Sequence, residues 1–137
     1  MKTFFDSSAF AKRFVDESGS DDVEALCDST TTLGLSILCV PEVLSALNRR
    51  LREGALVRRQ YAMAKRRLFE DVRDAEIVNL TGRVVMSSVD VLEESPVRAM
   101  DALHIACALE WGAELFVSAD LRQLRAAETA GLTTRRT

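Results

Sequence analysis

Three observations predict an α/β fold for this chain of 137 residues. Short runs of β-branched and aromatic residues alternate with longer stretches of helical periodicity. Glycine, serine or aspartate stands at the ends of several of these runs, where a strand must turn or a helix needs a cap. The composition, 47% apolar and 28% charged, is that of a globular domain able to bury a core without disulfides or a structural metal. Strands separated by helices pair in parallel through right-handed crossovers. The expected architecture is a three-layer α/β/α sandwich with a mainly parallel sheet of four to five strands, in a single domain spanning residues 1–137.

Thr3 to Phe5 reads as the first strand, ended by Asp6-Ser7-Ser8, with a helix following to Val15. Gly19-Ser20 opens a second helix to Cys27, and Thr31 to Ser36 is a second strand. The next helix runs to Arg52 and stops at Gly54, with Pro41 expected to make its start irregular. Ala55 to Asp74 reads as one long helix whose buried stripe is Val57, Tyr61, Ala64, Leu68 and Val72. Glu76 to Leu80 is a third strand, and Thr81 caps a helix ending near Glu94, before Ser95-Pro96. Arg98 to Trp111 is a helix stopped by Gly112, and Glu114 to Ser118 a fourth strand. Asp120 to Ala130 forms the last helix, with a fifth strand at Leu132 to Thr134.

The formal charge is −3, from 18 basic and 21 acidic residues. That weak acidity argues against a protein that coats nucleic acid by bulk charge. The distribution is uneven, however. Nine basic residues lie between Arg49 and Arg73, interrupted only by Glu53, Glu70 and Asp71. Cys27, Cys39 and Cys107 have no close pairing and read as small buried hydrophobes in a reducing compartment. With no Cys-x-x-Cys and His104 the only histidine, a zinc site is not expected. No apolar run approaches the ~20 residues of a membrane span, and the start Met1-Lys2-Thr3-Phe4-Phe5-Asp6 is too polar for a signal peptide. A cytoplasmic location is expected.

In parallel sheets the ligand site lies beyond the carboxyl ends of the strands, and acids stand there. Asp6 follows the first strand, Asp120 the fourth, and Glu42 lies early in the helix after the second. Asp101 occupies the first turn of a helix otherwise rich in apolar residues. Carboxylates brought together without cations repel one another and resist ionisation. A hard divalent ion relieves that conflict, because Mg²⁺ and Mn²⁺ prefer oxygen ligands and bridge to phosphate. Taken singly, Asp6 and Asp120 also read as helix caps, Glu42 as a partner of the helix dipole, and Asp101 as a surface partner of Arg98.

The order of these motifs resembles the PIN-domain ribonucleases, and within them the VapC-type toxins of toxin–antitoxin pairs. The resemblance rests on Phe4-Phe5-Asp6-Ser7-Ser8-Ala9, on Ser36 with Pro41-Glu42-Val43, on Arg98-Ala99-Met100-Asp101-Ala102-Leu103-His104-Ile105-Ala106, and on Val117-Ser118-Ala119-Asp120. It implies a PIN-like fold and a metal-dependent endoribonuclease that cuts tRNA, rRNA or mRNA to inhibit translation and growth. Asp6, Glu42, Asp101 and Asp120 would then be the catalytic, metal-binding acids, supported by Ser7 and Ser118. The cofactor implied is Mg²⁺, with Mn²⁺ as the other candidate. The partners implied are an RNA substrate, a cognate VapB-type antitoxin and a second copy in a homodimer.

Arg59, Arg66 and Arg73 recur every seventh residue on the long helix, and Arg49 lies two turns from Glu42. They are candidates for contact with RNA, with an acidic antitoxin segment as the rival partner and a solvated helix face as the plain alternative. His104, three residues after Asp101, is expected to serve helix packing or the surface rather than to act as a base. Tyr61 and Trp111 are expected in packing rather than in base stacking. The rival functions are a PIN nuclease for routine RNA processing and a non-catalytic partner-binding module. An aspartyl phosphatase ranks lower, because the position two residues after Asp6 is Ser8 rather than a second acid.

Overall fold

The central strand of the sheet is β1 (Lys2–Phe5) in a computed structural model that describes residues 1–137. Beside it on one edge lie β2 (Thr32–Ser36) and then β3 (Glu76–Val78), and on the other β4 (Leu115–Ser118) and then β5 (Thr134–Arg136). Every ladder is parallel, and the register sets Phe5 opposite Leu35 on one side and Val117 on the other. The strand order reverses direction between β1 and β4, the switch point at which open α/β sheets bind ligands.

Successive side chains of β1 enter opposite layers, as the two-residue pleat requires. Phe4 joins Phe116, Val84, Ile105 and Leu124 under α5 (Gly82–Glu94), α6 (Ala99–Trp111) and α7 (Leu121–Thr129). Phe5 joins Phe10, Val23, Val43, Leu47 and Leu68. Those five come from α1 (Ser7–Phe10), α2 (Ser20–Ser29), α3 (Cys39–Arg52) and α4 (Arg58–Asp74). Each such fully buried side chain contributes roughly 1.5–3 kcal/mol of transfer free energy. The expected three-layer sandwich is therefore present, with five parallel strands.

Trp111 packs rather than stacking on a ligand. Its ring lies so close to Gly34 that a Cβ there would stand 2.6 Å from it, and its indole N–H donates to Glu76 at 2.6 Å. Tyr61 also packs, its hydroxyl accepting from Asn48 at 2.9 Å.

Several boundaries differ from the sequence reading, for local reasons. The first helix does not continue to Val15: α1 is one turn long and tightens into a 3₁₀ turn over Ala11–Arg13. Arg13 is anchored there by Asp71 at 2.7 Å and Glu24 at 2.9 Å. The long helix begins at Arg58, not Ala55. Gly54, at φ 77°, closes α3 with its own N–H bonded to the Leu51 carbonyl and that of Ala55 to Arg50, so Ala55 belongs to the preceding cap. Val57 is extended and 60% exposed, which removes it from the buried stripe. Gly131 closes α7 in the same way, with Leu132 N–H bonded to the Ala127 carbonyl, so the fifth strand starts at Thr134 rather than Leu132. Pro41 causes no irregularity. It is the third residue of α3, where a missing N–H forfeits no bond within the helix.

Candidate active site

The chain leaves β1 at Asp6, which caps α1 through a bond from the Ala9 N–H at 2.9 Å. Capping alone would leave this carboxylate at the surface, yet it is only 1% exposed. Ser118, ending β4, donates its hydroxyl to Asp6 Oδ2 at 2.6 Å. Ser8 donates to both oxygens, at 2.8 and 2.9 Å. The two serines also accept from the backbone beyond β4: Ser118 from Asp120 N–H at 3.0 Å, Ser8 from Ala119 N–H at 3.1 Å. Asp6 is thus the centre of a hydroxyl-bonded seam joining β1 and β4 across the switch point. Burial pushes its carboxyl above the ordinary range, against the opposing pull of the bonds from Ser118, Ala9 and Ser8 and of His104.

Glu42 approaches from the first turn of α3 and is half-buried. Its Oε1 accepts the Ser7 hydroxyl at 2.8 Å and lies in a short contact with His104 Nε2. His104 comes from α6, is 2% exposed, and also stands 3.2 Å from the Ser7 hydroxyl. Burial works to raise the Glu42 carboxyl, but the hydrogen bond and charge of His104 and the bond from Ser7 hold it below the usual range. The surface reading of His104 is therefore corrected. It is buried, and its Nε2 edge is directed at Glu42, while its Nδ1 has no partner.

Asp101 and Asp120 form the open side of the site. Asp101, in the first turn of α6, takes a backbone bond from Arg98, and no ion pair joins it to the Arg98 side chain. Burial and then the neighbouring charge of Asp120 raise its carboxyl, with a smaller push from Glu42. Gln123, buried on α7, donates to the Asp101 carbonyl at 3.2 Å and ties the two helices together. Asp120 caps α7 through the Arg122 N–H at 2.9 Å and is itself exposed.

The donors suit a hard divalent ion in chemistry: carboxylate oxygens that meet no lysine or arginine, two of them raising a third. They are not gathered into a finished ligand cage, for no three His, Cys, Asp or Glu side chains converge in ligating positions. The reason is visible in the bonds. Both Asp6 oxygens are engaged by serines, Glu42 is turned to Ser7 and His104, and Asp120 is engaged as a cap.

Asp101 and Asp120 open into a cavity of about 910 Å³ whose other lining residues include Arg98, Arg122 and Arg125. Sequence reasoning placed Arg98 beside Asp101 only as a surface partner, and missed Arg122, Arg125 and the part taken by Ser8. The available signal was Arg122 and Arg125, three residues apart and so on one face of α7 next to Asp120. Arg49, Arg59, Arg66 and Arg73 are all exposed, and none lines this cavity. Arg49 borders a separate hollow with Glu17, Arg50 and Glu53, and Arg66 another with Arg13, Phe14 and Met63.

The PIN domain family model matches residues 3–129. The chain belongs to the PIN-domain family. It is 33% identical over 109 residues to ribonuclease VapC45 and to ribonuclease VapC49 of Mycobacterium tuberculosis, covering 80% of this chain and 76% of each relative. This PIN domain also shares its fold with M. tuberculosis VapC20, described as a sarcin-ricin loop cleaving toxin, with a TM-score of 0.73 at 18% identity, covering 98% of this chain and 99% of that one. A DNA-bound VapBC from Salmonella typhimurium matches with a TM-score of 0.72 at 13% identity, covering 99% of this chain and 98% of that one.

Proposed function

We propose that this PIN domain is a metal-dependent endoribonuclease acting as the toxin of a toxin–antitoxin pair. In this reading it works in the cytoplasm as a homodimer, cleaves RNA to halt translation, and is neutralised by a cognate VapB-type antitoxin. The reading is carried by one observation: unneutralised carboxylates face an open polar cavity at the switch point of the sheet, in a chain whose relatives are named ribonucleases.

Asp6, Glu42, Asp101 and Asp120 would hold one or two Mg²⁺ or Mn²⁺ ions. Such ions, when bound, polarise phosphoryl oxygens and make water a stronger nucleophile at neutral pH. The protein's own share is preorganisation. Ser118 and Ser8 hold Asp6 in one orientation, so that little rearrangement is needed as charge develops. Ser7 and His104 do the same for Glu42 by engaging its Oε1. Against the upward push of burial, His104 and Ser7 hold the Glu42 carboxyl below its usual range, which favours the ionised form.

The test is cleavage of RNA by purified protein with Mg²⁺ or Mn²⁺, together with growth on induction in cells. Wild type should cut and arrest growth, Asp6→Asn should do neither while melting cooperatively, and co-expression of the antitoxin should restore growth. Cleavage by Asp6→Asn at the wild-type rate would defeat the assignment.

A further inference from the structure

The cavity beside Asp101 and Asp120 differs from the basic surface of α4 in its chemistry. Arg98, Arg122 and Arg125 are exposed at its walls, and none of them forms an ion pair. On α7 the lining residues Arg122, Arg125, Ala126 and Thr129 fall at helical spacings of three and four, so they make one face leading away from Asp120. At 1.5 Å per residue that face extends roughly 10 Å from the acids. Arg98 stands at the cap of α6, from which Asp101 follows within one turn.

No aromatic side chain lines the cavity, and Leu121 and Ala126 are its only hydrophobic lining. There is thus no platform on which a base can stack. What the cavity offers is three unpaired, forked cations, the geometry suited to phosphate oxygens. Glu94 is the one acid of the lining besides Asp101 and Asp120. Once those two are neutralised by a bound cation, as in the function proposed above on which this inference rests, arginines outnumber the remaining acid.

We infer that the α6–α7 cavity is the track for the RNA backbone, in which Arg98, Arg122 and Arg125 hold phosphates leading to the Asp101–Asp120 pair without reading base identity. Sequence preference then arises elsewhere on the protein. Guanidinium forks pair bidentately with phosphate and carboxylate alike; single-stranded RNA is favoured over an acidic peptide because the open groove leads directly to Asp101 and Asp120, the acids proposed to hydrolyse phosphodiesters.

The test uses Asp6→Asn protein with Mg²⁺ to prevent cleavage. Binding of two labelled single-stranded RNA oligonucleotides of unrelated sequence is measured over a range of salt. Adding R122A and R125A should weaken binding of both by about tenfold at moderate salt. The slope of log affinity against log salt should fall by roughly 0.7 for each phosphate that no longer has an arginine partner. R122K with R125K, which keeps the charge and loses the fork, should restore the salt slope and only part of the affinity, and R59A, R66A and R73A together should change little. The melting temperature of each variant checks folding.

Unchanged affinity and slope in the R122A/R125A protein would overturn the inference. So would a loss confined to one oligonucleotide, a loss produced instead by the α4 variant, or loss of binding only to a polyglutamate peptide. The two proposals fail separately. If wild type cuts RNA and the arginine variant binds normally, only the track is wrong; if the parent binds neither oligonucleotide and wild type cuts nothing, both fall.

Discussion

Asp6 and Glu42 differ from Asp101 and Asp120 in how much of their bonding the protein itself supplies. The first pair is buried or half-buried, and its oxygens are engaged by Ser118, Ser8, Ser7 and His104 before any ligand arrives. The second, a half-buried Asp101 and an exposed Asp120, faces an open cavity, with Asp101 raised by burial and then by the charge of Asp120, and with free arginines nearby. The contrast teaches a division of labour. One half of the site is held rigid by hydroxyls and an imidazole, while the other is left for cation and substrate to complete.

The largest effects should come from the carboxylates. Asp6→Asn or Asp101→Asn removes charge that no other group replaces, and is expected to lower the cleavage rate on the order of 10³-fold, equivalent to several kcal/mol of transition-state stabilisation. Initial rates on a defined RNA check this. An intact rate in only one of the two would confine the chemistry to the other half.

A smaller effect is expected at His104, which acts on the site through Glu42. His104→Leu should weaken Mn²⁺ binding by about 10- to 100-fold, the usual consequence of removing a ligand's hydrogen-bond partner. His104→Gln, able to donate from a similar place, should recover most of it. Calorimetric titration of the protein with Mn²⁺ alone reads this without reference to activity; equal affinities in all three proteins would mean that His104 only packs.

Ser118→Ala tests the rigid half through stability. It leaves buried Asp6 short of its 2.6 Å donor and Asp120 N–H without its acceptor, and should cost about 1–3 kcal/mol in denaturant unfolding. Full stability in that variant would show that the seam between β1 and β4 does not hold the site.

The least change is expected at Cys39, buried beside Ser7, Asp6 and Glu42. Burial pushes its thiol up to about 12, and that of Cys27 to about 11. Both should resist iodoacetamide at pH 8 in the folded protein and react after denaturation. Rapid native labelling of Cys39 would mean that this half opens readily.

The strand–helix alternation was legible because each core strand is a short apolar run between turn residues, as in Thr3 to Phe5 before Asp6. The acids were legible as positions because strand ends locate ligand sites in parallel sheets. Their orientations were not. Whether Glu42 meets His104 depends on α3 and α6 packing against the same end of the sheet, and no local spacing records that. The helix boundaries shifted where glycines at positive φ added capping residues, at Gly54 and Gly131. The basic run of α4 stood out in the sequence through its density. The arginines that share a cavity with the acids are brought together only when α6 meets α7.

The central claim is that the two halves together form a nuclease centre. It is tested most directly by following cleavage of one end-labelled RNA by wild type and Asp101→Asn, each with Mn²⁺ and with a chelator. Site-specific cutting by wild type with Mn²⁺, and none in the other three reactions, is the predicted result. Equal cutting by Asp101→Asn, or by wild type with the chelator present, would contradict it.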